Sequence, residues 1–138
     1  MCVYNDVTGW QNKQFLGRGE FTLPFGDYEV SITVPADHIV AATGECQNYA
    51  SILSPEQRKR YELAKKSDTP VIIVTQAEAE AAEKNKAQKT KTWVYKATNV
   101  RDFAFATSRK FIWDAQKQTV GDKDILCMSY YPKEGNPL

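Results

Sequence analysis

A strict alternation of apolar and polar residues between positions 28 and 34 constrains the fold more than any other feature of the sequence. The apolar positions are Tyr28, Val30, Ile32 and Val34. A period of two residues is typical of a β-strand that buries one face and exposes the other. Pro35 follows at once, and a proline cannot donate a hydrogen bond to a neighbouring strand. The sequence therefore predicts a half-buried strand that ends at Pro35.

Short apolar runs bounded by turn residues predict further strands. They cover residues 39–43, 71–74, 93–98, 103–107 and 125–131, with another apolar patch at 111–113. Residues 99–102 are predicted to form a turn or a bulge. The segment Ile125–Tyr131 is apolar on both faces, so we expect other elements to cover each side of it.

Two capping boxes predict helices in the middle of the chain. They are Ser54–Gln57 and Thr75–Glu78. In each, a hydroxyl side chain and a Glu or Gln three residues later satisfy the first free amide groups of a helix, and Pro55 suits the first helical position. The helices are expected to reach about residues 66 and 89.

These elements predict a single mainly β domain over residues 1–138. The expected architecture is a β-sandwich of saddle-like antiparallel sheets with a helical insertion at about residues 55–90. A length of 138 residues suits one domain, and a hydrophobic content of 42% is enough for a core.

The charge balance bears on the possible partners. Lysine and arginine number 18 against 17 aspartate and glutamate residues, so the formal net charge is +1. Nucleic-acid-binding domains usually carry a clear basic excess, so we expect no nucleic acid. We expect no membrane either, since no apolar run approaches the ~20 residues of a spanning helix. The first ten residues lack the pattern of a signal peptide, and the localisation stays open.

Residues suited to catalysis are scarce. The only histidine, His38, lies between two predicted strands, and we interpret it as an ordinary loop residue. Cys2, Cys46 and Cys127 are far apart and form no CxxC pair. Gly17–Glu20 contains a lone GxG, which we interpret as a turn, and no HExxH, GxSxG or P-loop motif occurs. We therefore expect no catalytic residue, no metal ligand and no cofactor in this chain. A small cysteine enzyme is the least favoured alternative.

Aromatic side chains are concentrated in the last third of the chain. At alternating strand spacing they are typical of a core or an interdomain surface, although such clusters also bind sugars or peptides. The interface candidates are Arg101, Phe103, Phe105, Phe111, Trp113, Tyr130 and Tyr131. We also expect partly buried ion pairs at Arg101, Asp102 and Arg109. An open sheet edge or an apolar patch is expected near residues 100–131, with self-association through it.

Three segments resemble one family. Asn99–Ala115 resembles the "VRDFA…S..F.WD" segment of the aminopeptidase N-like zinc metallopeptidases, the gluzincins that include leukotriene hydrolase. Phe25–Pro35 and Val40–Gly44 resemble the "F.D..V.ITVP…VATG" strand pair of that family, in the same order. Tyr4–Gly19 is similar to the lead-in to this pair. The resemblance covers most of the chain and is weakest over Ser54–Lys91.

The resemblance implies that the chain is the later part of the N-terminal β domain of a larger peptidase. In that family one zinc is held by HExxH and a later glutamate, and a GxMEN-type loop binds the amine of the substrate. Neither motif occurs in this sequence, so the zinc is expected only in the catalytic domain of the parent. The resemblance thus predicts a non-catalytic scaffold that packs against that catalytic domain and shapes its substrate cleft.

A function from a different class remains open as the alternative. An independent β-sandwich module would use its exposed aromatic side chains to bind a carbohydrate or a peptide. A reading frame that continues into HExxH would favour the scaffold over this module.

Overall fold

The computed structural model describes residues 2–12, 14, 17 and 23–135. The strands are β1 Cys2–Asn5, β2 Gly9–Asn12, β3 Gly26–Pro35, β4 Ile39–Ala42, β5 Glu45–Cys46, β6 Val71–Val74, β7 Thr90–Val100, β8 Phe105–Ser108, β9 Ile112–Val120 and β10 Lys123–Tyr131. The helices are α1 Tyr49–Ile52, α2 Pro55–Ala64 and α3 Gln76–Lys84, and a 3₁₀ turn follows at Lys133–Gly135. The described strands pair antiparallel, and the fold is mainly β, as predicted.

The long strands β3 and β7 pair along their length, and β5 pairs with the other side of β7. Ile32 lies opposite Trp93 on the face that enters the core. On the outer face, Glu29 and Lys96 form an ion pair at 3.1 Å. The alternation over residues 28–34 therefore separates an inner and an outer face, as predicted.

A second three-stranded sheet has the order β10-β9-β6, while β4 pairs with β8 and β1 with β2. One core draws on both three-stranded sheets and on β4. Its largest fully buried side chains are Trp93, Trp113, Ile73, Ile112 and Val40. The hydroxyl of Tyr95 donates a hydrogen bond of 2.8 Å to the carbonyl oxygen of Val40, which joins β7 to β4. This architecture agrees with the predicted β-sandwich and its small helical insertion.

Both predicted capping boxes are confirmed. Ser54 Oγ accepts a hydrogen bond from Gln57 N at 3.2 Å, and Gln57 Oε1 accepts one from Ser54 N at 3.1 Å. Thr75 and Glu78 make the same reciprocal pair at the start of α3. Hydroxyl caps of this kind fix where a helix begins, because they satisfy amide groups that have no partner within the helix.

Helix α3 ends at Lys84, earlier than the predicted end near residue 89. The amide and side-chain nitrogens of Asn85 both donate to the carbonyl oxygen of Ala81. Ala87 N then donates to Asp37 Oδ2 at 3.0 Å. This tertiary hydrogen bond directs the chain away from the helical path, so the local sequence could not predict the end.

The end of β7 contains the predicted bulge. The register of β3 on β7 shifts close to Asp27, and Asn99 has a φ of 54°. Strand β9 extends beyond the predicted patch at 111–113, because it pairs with β10 over its whole length. Within the predicted turn at Gly17–Glu20, residues 18–20 lie outside the described residues.

Candidate interaction surface

The interface candidates fall in three places. Arg101 and Phe103 follow β7, and Phe105 begins β8. Phe111 directly precedes β9, and Trp113 lies near its start. Tyr130 and Tyr131 end β10. Their exposure differs widely. Phe105 is 57% exposed, whereas Trp113 is fully buried.

Trp113 is a core residue, so its assignment to an interface is wrong. Its ring stacks on Tyr130, with 5.3 Å between centroids, and contacts Tyr49 and Tyr61 at 5.6 and 5.8 Å. Burial raises the pKa of Tyr49 and of Tyr130, because a phenolate is disfavoured away from water. Tyr49 lies on α1 and Tyr61 on α2. The alternation of residues along β9 does not indicate that these two helices cover Trp113.

Phe111 and Tyr131 lie at the margin of this core. Phe111 is half-buried, and its ring centroid lies 6.2 Å from that of Tyr130. Burial raises the pKa of Tyr131, and its hydrogen bond with Asp114 acts in the same direction. Both side chains stay partly exposed, so they suit the rim of an interface rather than its centre.

Strand β10 is an edge strand among the described residues. It pairs with β9 without a bulge over Lys123–Tyr131. Ile125 and Met128 are 45% and 40% exposed, and Cys127 is exposed as well. The expectation that other elements cover both faces of Ile125–Tyr131 is therefore wrong for the described part of the chain. An open edge in this region agrees with the prediction.

An aromatic–arginine cluster, consisting of Phe25, Tyr28, Arg101 and Phe103, lies where β7 ends. The guanidinium carbon of Arg101 lies 5.0 Å from the ring centroid of Phe25, which is a cation–π contact. Phe103 packs on Tyr28 with 5.9 Å between centroids. Phe25 is 60% exposed, so the cluster presents an aromatic face to solvent. Phe25 is not among the sequence-based candidates, because only the pairing of β3 with β7 brings it beside Arg101.

The bulge at Asn99 positions this cluster. Asparagine tolerates the left-handed conformation better than most residues, since its short polar side chain can bond locally. Asp27 Oδ1 accepts a hydrogen bond of 2.8 Å from Asn99 N, which fixes the bulge to the start of β3. The ladder between β3 and β7 ends at Val100, and Arg101 follows directly beside β3.

The ion pair expected for Arg109 is present, and its partner is Asp37. Arg109 Nε donates to Asp37 Oδ2 at 3.1 Å, and the Asp37 side chain is only 8% exposed. Burial alone would raise the pKa of Asp37, but hydrogen bonds from Ala87 N and Arg109 outweigh it and hold the pKa below its ordinary value.

His38 Nδ1 lies 3.0 Å from Thr107 Oγ1. Burial and the charge of Arg109 lower the pKa of His38, which favours the neutral ring.

Over residues 2–12, 14, 17 and 23–135, no group of three or more His, Cys, Asp and Glu side chains is arranged to hold a metal ion. In that same part of the chain, no helix has both the length and the apolar character needed to cross a membrane.

Comparison with protein-family models, with curated proteins and with solved structures found no match. The function is therefore inferred from the motifs and from the geometry that brings them together.

Proposed function

We propose that this chain is a non-catalytic β scaffold domain of a zinc-dependent aminopeptidase. In this role it packs against the catalytic domain of the parent protein and shapes the cleft that admits the substrate. The zinc ligands and the amine-binding loop belong to that catalytic domain.

The observation that carries the proposal is the convergence of three motif segments. Phe25–Pro35 contains β3, which pairs with β7, and β7 ends inside the segment Asn99–Ala115. Val40–Gly44 contains most of β4, which pairs with β8 inside the same segment. Thr43 N also donates to the carbonyl oxygen of Ala104 at 2.9 Å. Segments that lie far apart in the sequence but resemble one family are therefore neighbours in space.

The exposed aromatic side chains near these segments support a docking role. Phe105 is exposed on β8, and Arg101 lies against the ring of Phe25, which is itself exposed. Aromatic residues and arginine are enriched at the energetic centres of interfaces. Interdomain contacts typically bury ~600–1,500 Å², which is enough to cover this cluster and remove its apolar surface from water.

A binding titration tests the proposal. The purified chain is titrated with the catalytic domain of an aminopeptidase N-like peptidase from the same genome, and the heat of binding is measured. We expect saturable binding, and we expect Phe105→Ala and Arg101→Ala each to weaken it about tenfold, the equivalent of ~1.4 kcal/mol.

The matched control is Ser31→Ala, which alters an exposed side chain on the outer face of β3. This variant should bind as tightly as the wild type. The absence of binding, or the same loss of affinity in Ser31→Ala, would contradict a docking role for Phe105 and the aromatic–arginine cluster.

The proposal also concerns the chain alone, which should neither hydrolyse peptides nor retain stoichiometric zinc. A hydrolytic zinc site needs about three protein ligands and a bound water. Elemental analysis of the purified chain that finds one tightly bound zinc per molecule would contradict this part of the proposal.

An independent binding module is the second candidate, and the β1–β2 hairpin favours it. Trp10 is 73% exposed, and its ring meets that of Tyr4 edge-on at 5.4 Å. Such a ring offers an apolar platform to a sugar or a peptide. Screening against glycan and peptide arrays separates the two candidates: selective binding that is lost in Trp10→Ala supports the module, and no binding to either array favours the scaffold.

A further inference from the structure

A cavity beside the turn that joins β3 to β4 is lined by both apolar and charged side chains. Its volume is about 240 Å³, well above the ~10–15 Å³ that one water molecule requires. The apolar lining includes Ile52, Val74 and Ala82. The charged lining consists of Asp37, Glu78, Lys91 and Arg109. A ligand that matches this lining therefore has an apolar part and a charged part.

The acidic groups of the cavity already have cationic partners. The pairs are Asp37 with Arg109, at 3.1 Å, and Glu78 with Arg60, at 2.7 Å. Lys91 differs, because no carboxylate of the described residues lies within 4.0 Å of its ammonium group. Its Nζ instead lies 5.0 Å from the ring centroid of Trp93. Among the described residues, Lys91 is therefore the charged residue of this lining that makes no direct ion pair.

The surroundings of Lys91 make a counter-ion favourable. Lys91 is half-buried on the inner face of β7, opposite Val34. Burial lowers the pKa of Lys91, and the charge of Asp37 offsets this effect only in part. Removing an ammonium group from water costs free energy, and an anion placed beside it recovers part of that cost.

We propose that this cavity binds a small aliphatic carboxylate. The carboxylate group pairs with Lys91, and the hydrocarbon tail packs against Ile52 and Val74. A sugar or an inorganic anion matches the cavity less well, because neither has a hydrocarbon part to pack against these two residues.

Calorimetric titration of the wild-type chain with acetate, butyrate and hexanoate tests the proposal. Affinity should rise about fourfold for each added methylene group, the equivalent of ~0.8 kcal/mol. Hexan-1-ol has the same tail but no charge, and it should bind at least about tenfold more weakly than hexanoate, the equivalent of ~1.4 kcal/mol. Equal affinities for hexanoate and hexan-1-ol, or no binding of hexanoate, would overturn the proposal without any variant.

Two lysine variants of the same strand complete the test. Lys91→Met keeps an unbranched apolar stem and should lose the preference for hexanoate over hexan-1-ol. Lys96→Met removes an exposed lysine from the outer face of β7 and should keep that preference. Retention of the preference in Lys91→Met, or its loss in both variants, would overturn the assignment to Lys91.

Discussion

Arg60 on α2 binds the carboxylate of Glu78 on α3 with both terminal nitrogens of its guanidinium group. Nη1 lies 2.9 Å from Oε2 and Nη2 lies 2.7 Å from Oε1. The same carboxylate accepts a hydrogen bond from Thr75 N at 2.8 Å, and Gln57 Nε2 approaches its Oε1 at 3.4 Å. Glu78 therefore joins the first turns of both helices of the insertion.

Glu78 both caps α3 and pairs with Arg60, so truncating Glu78 should destabilise the fold more than truncating Arg60. We expect Glu78→Ala to lower the free energy of unfolding by about 1.5–2 kcal/mol, because it removes a helix cap as well as an ion pair. Arg60→Ala should cost less than ~1 kcal/mol, because the cap remains. Urea unfolding followed by circular dichroism measures both values. Glu62→Ala is the control on α2, and equal losses in the Glu78 and Arg60 variants would contradict the capping role.

Substitutions at two glycines with positive φ distinguish the effect of backbone strain from that of a steric clash. Gly44 has a φ of 87° and Gly121 a φ of 61°. A methyl group on Gly44 would collide with the carbonyl oxygen of Lys96 and lie 2.7 Å from Ala97 Cβ, whereas one on Gly121 meets nothing within 4 Å.

Alanine substitution should therefore be tolerated at one of these glycines and not at the other. Gly121→Ala should cost about 1–2 kcal/mol for the left-handed backbone alone. Gly44→Ala should cost at least ~2 kcal/mol more, since β5 cannot approach β7 as closely. Thermal unfolding of the two variants compares them, and similar midpoints would contradict the close approach.

The partly buried pair of Asp37 and Arg109 predicts a dependence of stability on pH. The folded pKa of Asp37 lies below its ordinary value of 3.8, so the ionised form stabilises the fold above that pH. This contribution is lost as the pH falls through the folded pKa. Arg109→Gln should raise the folded pKa and lower stability at neutral pH by about 1–3 kcal/mol, because a buried oxygen loses a charged donor.

Unfolding free energies measured between pH 7 and pH 3 test this prediction. The loss of stability on acidification should be smaller in Arg109→Gln than in the wild type, because less stabilisation by the ionised Asp37 remains to be lost. Arg58→Gln removes an exposed arginine from α2 and should leave the profile unchanged. Identical profiles for wild type and Arg109→Gln would show that the pair does not hold the pKa of Asp37 down.

Local signals predicted the starts of the helices and the face of β3, because each depends on residues close together in the chain. The two capping boxes and the alternation at 28–34 are such signals. Arg109 and Asp37 are 72 positions apart, and no local pattern indicates which acid that arginine meets. The same holds for the end of α3, which depends on the hydrogen bond from Ala87 to Asp37.

The candidate surface could be predicted only in part, because the exposure of a side chain depends on residues far away in the chain. The sequence placed Phe105 on a predicted strand and Trp113 in an apolar patch, but it did not distinguish the exposed ring from the buried one. That difference depends on α1 and α2, which bring Tyr49 and Tyr61 onto Trp113. Phe25 joined the surface only through the pairing of β3 with β7.

The open edge at β10 predicts self-association when no partner covers it. Unpaired strand edges recruit other chains, and a lysine placed on the edge opposes this. Light scattering should give a mass that rises with concentration for the wild type. Ile125→Lys and Met128→Lys should reduce this rise. Leu63→Lys replaces an exposed leucine on a helix, where no strand edge is available, and should behave like the wild type.

A monomeric wild-type chain at all concentrations would contradict the self-association. A similar reduction in Leu63→Lys and Ile125→Lys would attribute the association to general apolar exposure rather than to the strand edge.

The sequence of the transcript downstream of codon 138 tests the scaffold function most directly. A scaffold domain of a zinc aminopeptidase predicts a reading frame that continues in phase into a GxMEN-type loop, an HExxH motif and a later glutamate. A stop codon directly after Leu138, with no zinc-peptidase domain in the same frame, would contradict the scaffold function and favour an independent binding module.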